Sequence, residues 1–209
     1  MSSTKSSGRV VPAPASARAD QDGGIEGSGS WLRDGWRREG HTWSVGLARI
    51  AMGVLWISNA LWKVPPDFGF AALPNPPDPS LAYFVQQIIN HPPFGLYQSF
   101  MRDLVLPNGI LFGYSVLFAE LATGVSLLLG LFTRLGGLLG TLQAINLMIG
   151  LTNVPGEWPW AYRMLVLLNF IILATAAGRN WGVDQIIRRY LVPRAARGDR
   201  LAHWLLWLT

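Results

Sequence analysis

Glu120, in the stretch "LFAELATG", is the residue of this chain best placed for chemistry, because it is an acid inside an apolar run. The run from Gly109 to Phe132 is long enough to cross a bilayer, and Glu120 sits near its middle. An ionised side chain at the centre of a membrane helix costs roughly 2.5–3.5 kcal/mol on insertion scales, so it needs partners. Such acids commonly serve proton relays or ligand sites. At about 1.5 Å per residue, Glu120 lies about 15 Å from either end of its helix. The groups available to compensate it are Asn59 and Lys63, toward the end of an earlier apolar run, and Arg163 and Asn169 in the last one. Side chains on a helix lean toward their own N-terminus, so in antiparallel spans Glu120 leans outward while Lys63, at an outer helix end, leans back toward the bilayer to meet it. The expected arrangement is an outward-facing polar cluster. In it, Glu120 is the catalytic, proton-exchanging group, and Lys63, Arg163, Asn59 and Asn169 bind the substrate. A structural alternative stands beside each role. Glu120 serves equally as an interhelical hydrogen bond, Lys63 and Arg163 as anchors at helix ends, and Asn59 and Asn169 as ties between helices. Arg49 leans the other way and is expected to snorkel to the inner headgroups.

The elements that position these groups follow from composition. Half of the 209 residues are hydrophobic, ten are Trp, and only 14% are charged. A soluble domain carries about 25% charged residues. The apolar residues collect in four blocks, 44–64, 109–132, 134–152 and 160–178, each near the roughly 20 residues that span a hydrocarbon core. The fold class expected is all-α integral membrane, an antiparallel bundle of four transmembrane helices with short helices in its outer loop.

Basic residues orient that bundle. Lys5, Arg9, Arg18, Arg33, Arg37 and Arg38 precede the first span, Arg134 lies in the turn between the second and third, and Arg179, Arg188, Arg189, Arg194, Arg197 and Arg200 follow the fourth. The connection from Pro65 to Asn108 carries only Arg102. The positive-inside rule then puts both termini on the cytoplasmic side of the plasma or inner membrane. The net charge of +5 is read as topology, and no nucleic-acid partner is expected.

The domain reading has four parts. Residues 1–30, rich in Ser, Ala, Gly and Pro without an apolar core, are expected to be a disordered cytoplasmic tail rather than a secretory signal. Residues 31–43 alternate Trp with basic residues and suit the inner interface, and 183–209 form a basic amphipathic cytoplasmic tail. The membrane domain is 44–182, with its outer loop at 65–108. Prolines from Pro65 to Pro93 keep that loop from being one helix, yet "SLAYFVQQII" and "LYQSFMRDLVL" have helical apolar spacing. Two short helices against the outer face are expected. In the third span, Gly136, Gly140 and Ala144 form a small-residue stripe for close packing, and the neighbouring Gln143 should face protein. Trp56, Trp62, Trp158 and Trp160 are expected mainly in an interfacial belt.

Three stretches, in order and spacing, resemble the DoxX-like proteins: "ARIAMGVLWISNALWKV", "ELATGVSLLLGLFTRLGGLLGTL" and "YRMLVLLNFIILATAAGRNWGVD". The resemblance covers about residues 44 to 184. It implies a four-helix membrane bundle, and its DoxD-type branch implies the membrane subunit of thiosulfate:quinone oxidoreductase, which passes electrons from thiosulfate to the quinone pool. On that reading Lys63 and Arg163 draw an anion such as thiosulfate to the outer mouth, and quinone is a diffusible substrate. The partners implied are the lipid bilayer and a second subunit or respiratory partner, with a homo-oligomer open. The alternative is a non-catalytic scaffold that docks a partner complex. No haem, flavin or metal is expected: His41, His91 and His203 fall outside the spans, Cys is absent, and no Gly-rich dinucleotide fingerprint is present.

Overall fold

A computed structural model describes residues 42–209 of the chain. The tail assigned to 1–30, most of the segment 31–43, the basic residues before the first span and His41 lie outside the described residues. Among the described residues there are eight α-helices and no strand. They are α1 (Thr42–Leu61), α2 (Leu81–Asn90), α3 (Gly95–Phe100), α4 (Gly109–Leu129), α5 (Thr133–Leu151), α6 (Pro159–Thr175), α7 (Val183–Ala196) and α8 (Arg200–Leu208).

Three of these, α1, α4 and α5, are long and apolar enough to cross a membrane. Helix α6 is apolar but has 17 residues, about 25 Å at 1.5 Å per residue, and is shorter than the block 160–178 suggested. It stops at Ala176, which takes a left-handed conformation (φ 47°), and the chain continues as a short 3-10 turn, Ala177–Arg179. Large apolar side chains such as Leu55 and Leu61 on α1, Leu111 and Phe118 on α4, Leu142 on α5 and Phe170 on α6 point outward and are exposed. Helices apolar on all sides belong in lipid, and the chain is a multi-pass membrane protein.

Helix α1 lies on α4, and α5 on α6. The first contact is made close by glycine. A Cβ on Gly53 would sit 2.5 Å from the backbone nitrogen of Leu128, and one on Gly124 would sit 3.1 Å from the carbonyl oxygen of Gly53. Nothing larger fits. Arg49 near the start of α1 reaches Leu128 at the end of α4, while Asn59 near the end of α1 reaches Glu120, so the two helices run in opposite senses. On α5, Gly137 lies against the backbone of Leu173 and Gly140 against Asn169 and Thr123, so the small residues make that helix's seams. Gln143 reaches from α5 to the Thr123 hydroxyl, 2.8 Å away. A core of Met52, Trp56, Leu127, Ala144 and Ile172 joins all four apolar helices.

The connection between α1 and α4 folds back on the ends of these helices. Ser80 caps α2 by accepting from the amide of Tyr83 at 3.1 Å. Helix α3 runs on into a π-helical turn, Met101–Val105. Val85 and Ile88 from α2, with Met101 and Val105, pack against Leu151 at the end of α5 and Val154 in the turn beyond it. This second small core roofs the space above Glu120.

Candidate functional site

Glu120 is 2% exposed, and both of its oxygens are occupied. Oε1 accepts from Asn59 Nδ2 at 3.0 Å and Oε2 accepts from Lys63 Nζ at 2.7 Å. The geometry follows from helix spacing. Asn59 lies two residues before the end of α1, and Lys63, one turn further on and just past that end, folds back so that its ammonium also donates to the Asn59 carbonyl at 2.9 Å. Two of the three ammonium protons are then engaged. The group lies over the Trp62 ring, 4.1 Å from its centroid, in a cation–π contact. Trp62 in turn donates from its indole nitrogen to Asn59 Oδ1 at 3.2 Å. Four side chains thus form one polar unit, in which one ammonium N–H of Lys63 has no oxygen acceptor among the described residues. The acid that the apolar run of α4 could not accommodate alone is compensated by an amide from the last turn of α1 and a cation and a ring just past its end.

This unit forms part of the wall of a cavity of about 580 Å³, between the apolar helices and the folded connection from α1 to α4. The other walls are mostly aromatic and aliphatic, with Phe84 from α2, Tyr97 and Phe100 from α3, Phe112 from α4 and Tyr162 from α6. The volume falls in the usual range of small-molecule sites, about 300–1,000 Å³. Such a cavity suits a largely apolar planar molecule with a few polar atoms. A doubly charged anion would fit poorly: the Lys63–Glu120 pair is neutral overall, and the walls offer little to replace the anion's water.

The five residues expected in the polar cluster do not all meet. Asn59, Lys63 and Glu120 do. Asn169 is fully buried elsewhere, accepting from the Trp56 indole at 3.1 Å and donating to the Leu165 carbonyl at 2.8 Å. Arg163 is exposed on α6 and does not line the cavity. It lies one helical turn from the start of α6, where a long cationic side chain reaches outward more cheaply than inward. Trp56 is also corrected: at 2% exposure it is a core residue, whereas Trp158 and Trp160 are exposed.

Arg49 departs furthest from expectation. It does not snorkel but is completely buried. Its guanidinium donates to the carbonyls of Leu127 and Leu128 at the end of α4, and to those of Asn180 and Trp181 before α7. Asp184, also fully buried, accepts from the amides of Phe132 and Thr133 at 2.7 and 2.9 Å, which caps α5 from outside. Gly130, left-handed at φ 67°, makes the turn between them, and a Cβ there would meet Arg49 Nη1 at 2.8 Å. The signal for this second charged site was present in "GRNWGVD" after α6, but the partners are backbone carbonyls, which no side-chain pattern reveals.

Among the described residues, no group of three or more His, Cys, Asp or Glu is placed to hold a metal ion. No curated protein and no solved structure matches the chain. One family does, described as DoxD, TQO small subunit, and it matches residues 44–201, most of the length and all of the elements that build the cavity. The chain belongs to the DoxD family.

Proposed function

We propose that the chain is the membrane subunit of a thiosulfate:quinone oxidoreductase and that its outer cavity receives the quinone. The observation that carries this reading is the pairing of a neutral carboxylate–ammonium unit with aromatic walls in a cavity of about 580 Å³. A quinone ring stacks on aromatic faces and offers carbonyl oxygens to a donor. Lys63 presents one remaining N–H for that purpose. Reduction to quinol takes up two electrons and two protons. As negative charge grows on the nearer quinone oxygen, the ammonium of Lys63 stabilises it and transfers a proton. Glu120, linked to Lys63 at 2.7 Å, keeps the charge of the pair in balance and passes on a replacement proton from water, while the second quinone oxygen takes its proton from water at the cavity mouth.

The electrons come from thiosulfate outside this cavity. Two thiosulfate ions that each lose one electron and join through a new sulfur–sulfur bond supply the two that quinone needs. A "small subunit" implies a larger partner, and the thiosulfate chemistry is assigned to it. In the membrane, α1, α4, α5 and α6 are the four antiparallel crossings. The face that carries Arg134, Arg179 and Arg188 is cytoplasmic by the positive-inside rule, and the cavity lies at the opposite end of the helices. A single-cysteine probe at position 75 should label from outside only, and labelling from the cytoplasm alone would invert this orientation.

The decisive experiment reconstitutes the complex in vesicles and follows reduction of a short-chain quinone with thiosulfate as donor. Thiosulfate-dependent reduction that needs this chain is expected. A complex that oxidises thiosulfate equally well without this chain would overturn the reading and leave a scaffold.

A further inference from the structure

The cavity has a second polar group besides Glu120 and its partners. Asn146 lies on α5 about five residues, or some 7.5 Å, before the helix end. It is exposed rather than packed among other helices, yet it lines the same cavity as Lys63 and Glu120. An amide in this position needs a reason, because an apolar residue would sit better beside lipid.

Its partner comes from the outer connection. The hydroxyl of Tyr97 on α3 donates to Asn146 Oδ1 at 2.9 Å. The tyrosine reaches it by lying across Gly150, one turn along α5. A Cβ on Gly150 would stand 3.1 Å from the Tyr97 hydroxyl oxygen, so any larger residue would crowd the ring. Helix α3 is itself tied to α2, since Gln98 donates to the Ile89 carbonyl at 2.8 Å. Burial pushes the Tyr97 hydroxyl up to about 12, so it remains a proton donor across the neutral range. With Oδ1 accepting from Tyr97, the amide is oriented and its Nδ2 donates to no described residue.

We infer that Asn146, oriented by Tyr97, binds the second carbonyl oxygen of a para-quinone whose first carbonyl is held by Lys63. The inference rests on the quinone reading of the cavity and adds to it a preference for ligands with two carbonyl groups. Asn146 is the contact. Tyr97 is a positioning residue that fixes which end of the amide faces the ligand.

The test measures binding of two probes to the reconstituted protein: an alkyl 1,4-naphthoquinone with two carbonyls, and the corresponding alkyl tetralone with one. Asn146→Leu should weaken naphthoquinone binding about tenfold, the scale of one hydrogen bond to a carbonyl, and leave tetralone binding within twofold. Tyr97→Phe should weaken naphthoquinone binding about threefold by freeing the amide to turn, again sparing the tetralone. Equal losses for both probes would mean that Asn146 only shapes the cavity, and the inference would fall while the quinone reading stood. Unchanged naphthoquinone binding in Asn146→Leu would have the same meaning. If the wild-type protein binds neither probe, the quinone reading falls and takes the inference with it.

Discussion

The membrane domain buries charge at two levels, and it does so in opposite ways. Toward the end assigned to the inner side, Arg49 and Asp184 are both fully buried, and their hydrogen-bond partners are main-chain groups of three segments. Glycines at 130, 178 and 182 let those segments close around them, and a Cβ at any of the three would collide. Toward the opposite end, proposed to be the outer one, Lys63 and Glu120 are nearly as hidden, but Glu120 is satisfied by side chains alone and the unit forms a cavity wall. Main-chain partners cannot change rotamer or protonation state. Side-chain partners can do both. The inner site is therefore built to hold helices in place, and the outer one retains freedom to meet a ligand and move a proton. Burial of a charge alone does not separate structure from function, but the nature of its partners does.

The largest expected effect separates the two sites by activity. Glu120→Gln removes the countercharge of Lys63 but keeps an oxygen for it to donate to, so stability should fall by about 1–3 kcal/mol. Quinone reduction per assembled complex should fall by about 10²–10⁴-fold, the usual consequence of losing a general acid or base. Glu120→Leu strands the ammonium instead and should cost about 3–5 kcal/mol of stability as well. Turnover and thermal unfolding measured on the same preparations distinguish the two variants. Wild-type turnover in a well-assembled Glu120→Gln complex would make the outer site as structural as the inner one and erase the contrast.

The inner site should answer in stability, not in chemistry. Arg49→Met leaves four carbonyls without their donor and removes one of the cations that face the Asp184 carboxylate. The loss should be on the order of 3 kcal/mol, seen as poor yield and early thermal unfolding in detergent. Whatever complex does assemble should turn over normally. A stable Arg49→Met protein with depressed turnover would break the comparison from the other side.

These two sites were not equally legible in the sequence. An acid in the middle of "LFAELATG" is visible because hydrophobicity defines its depth, and Asn59 and Lys63 can be found because helix periodicity places them on one face near that depth. Arg163 and Asn169 satisfy the same depth argument but face elsewhere, since depth says nothing about rotation about the helix axis. Rotation is set by packing. Gly137 against Leu173 and Gly140 against Asn169 turn Asn169 into the core, where it meets Trp56. Arg49 was misread for a related reason: its partners are carbonyls at the end of α4 and in the bend after α6, exposed only because those helices stop there. The helices of the outer connection are easier, with Ser80 as a cap and prolines as boundaries. The cavity beneath them is a property of the packed whole and has no local signature.

A smaller effect tests the packing that sets those rotations. Gly137→Ala places a methyl group 2.9 Å from the backbone nitrogen of Leu173, where only backbone movement can relieve it. The expected loss is about 1–3 kcal/mol, the range for overpacking a tight contact. Because α6 would shift relative to α5, the Trp56–Asn169 contact should loosen while the Lys63–Glu120 pair, built on α1 and α4, stays intact. Thermal unfolding reads the first effect and quinone turnover the second. A variant of wild-type stability would show that the α5–α6 seam is looser than the contact implies.

The smallest effect is expected at Arg163. It is exposed, near the start of α6, and outside the cavity wall. Interactions of exposed charges are screened beyond about 8 Å at physiological ionic strength. Arg163→Gln should therefore leave stability unchanged and turnover within about twofold, since surface substitutions away from special features usually lie within about 0.5 kcal/mol. The informative measurement is the KM for thiosulfate at low and at high salt. If Arg163 helps to gather the anion for a neighbouring subunit, KM should rise in the variant at low salt and return to the wild-type value at high salt, with kcat unmoved. That outcome would add a third kind of charge to the comparison, one left in water for long-range attraction. A fall in kcat that salt does not reverse would instead place Arg163 at the chemistry. The division between a closed inner site and an outer site confined to Glu120, Lys63 and Asn59 would then be drawn too narrowly.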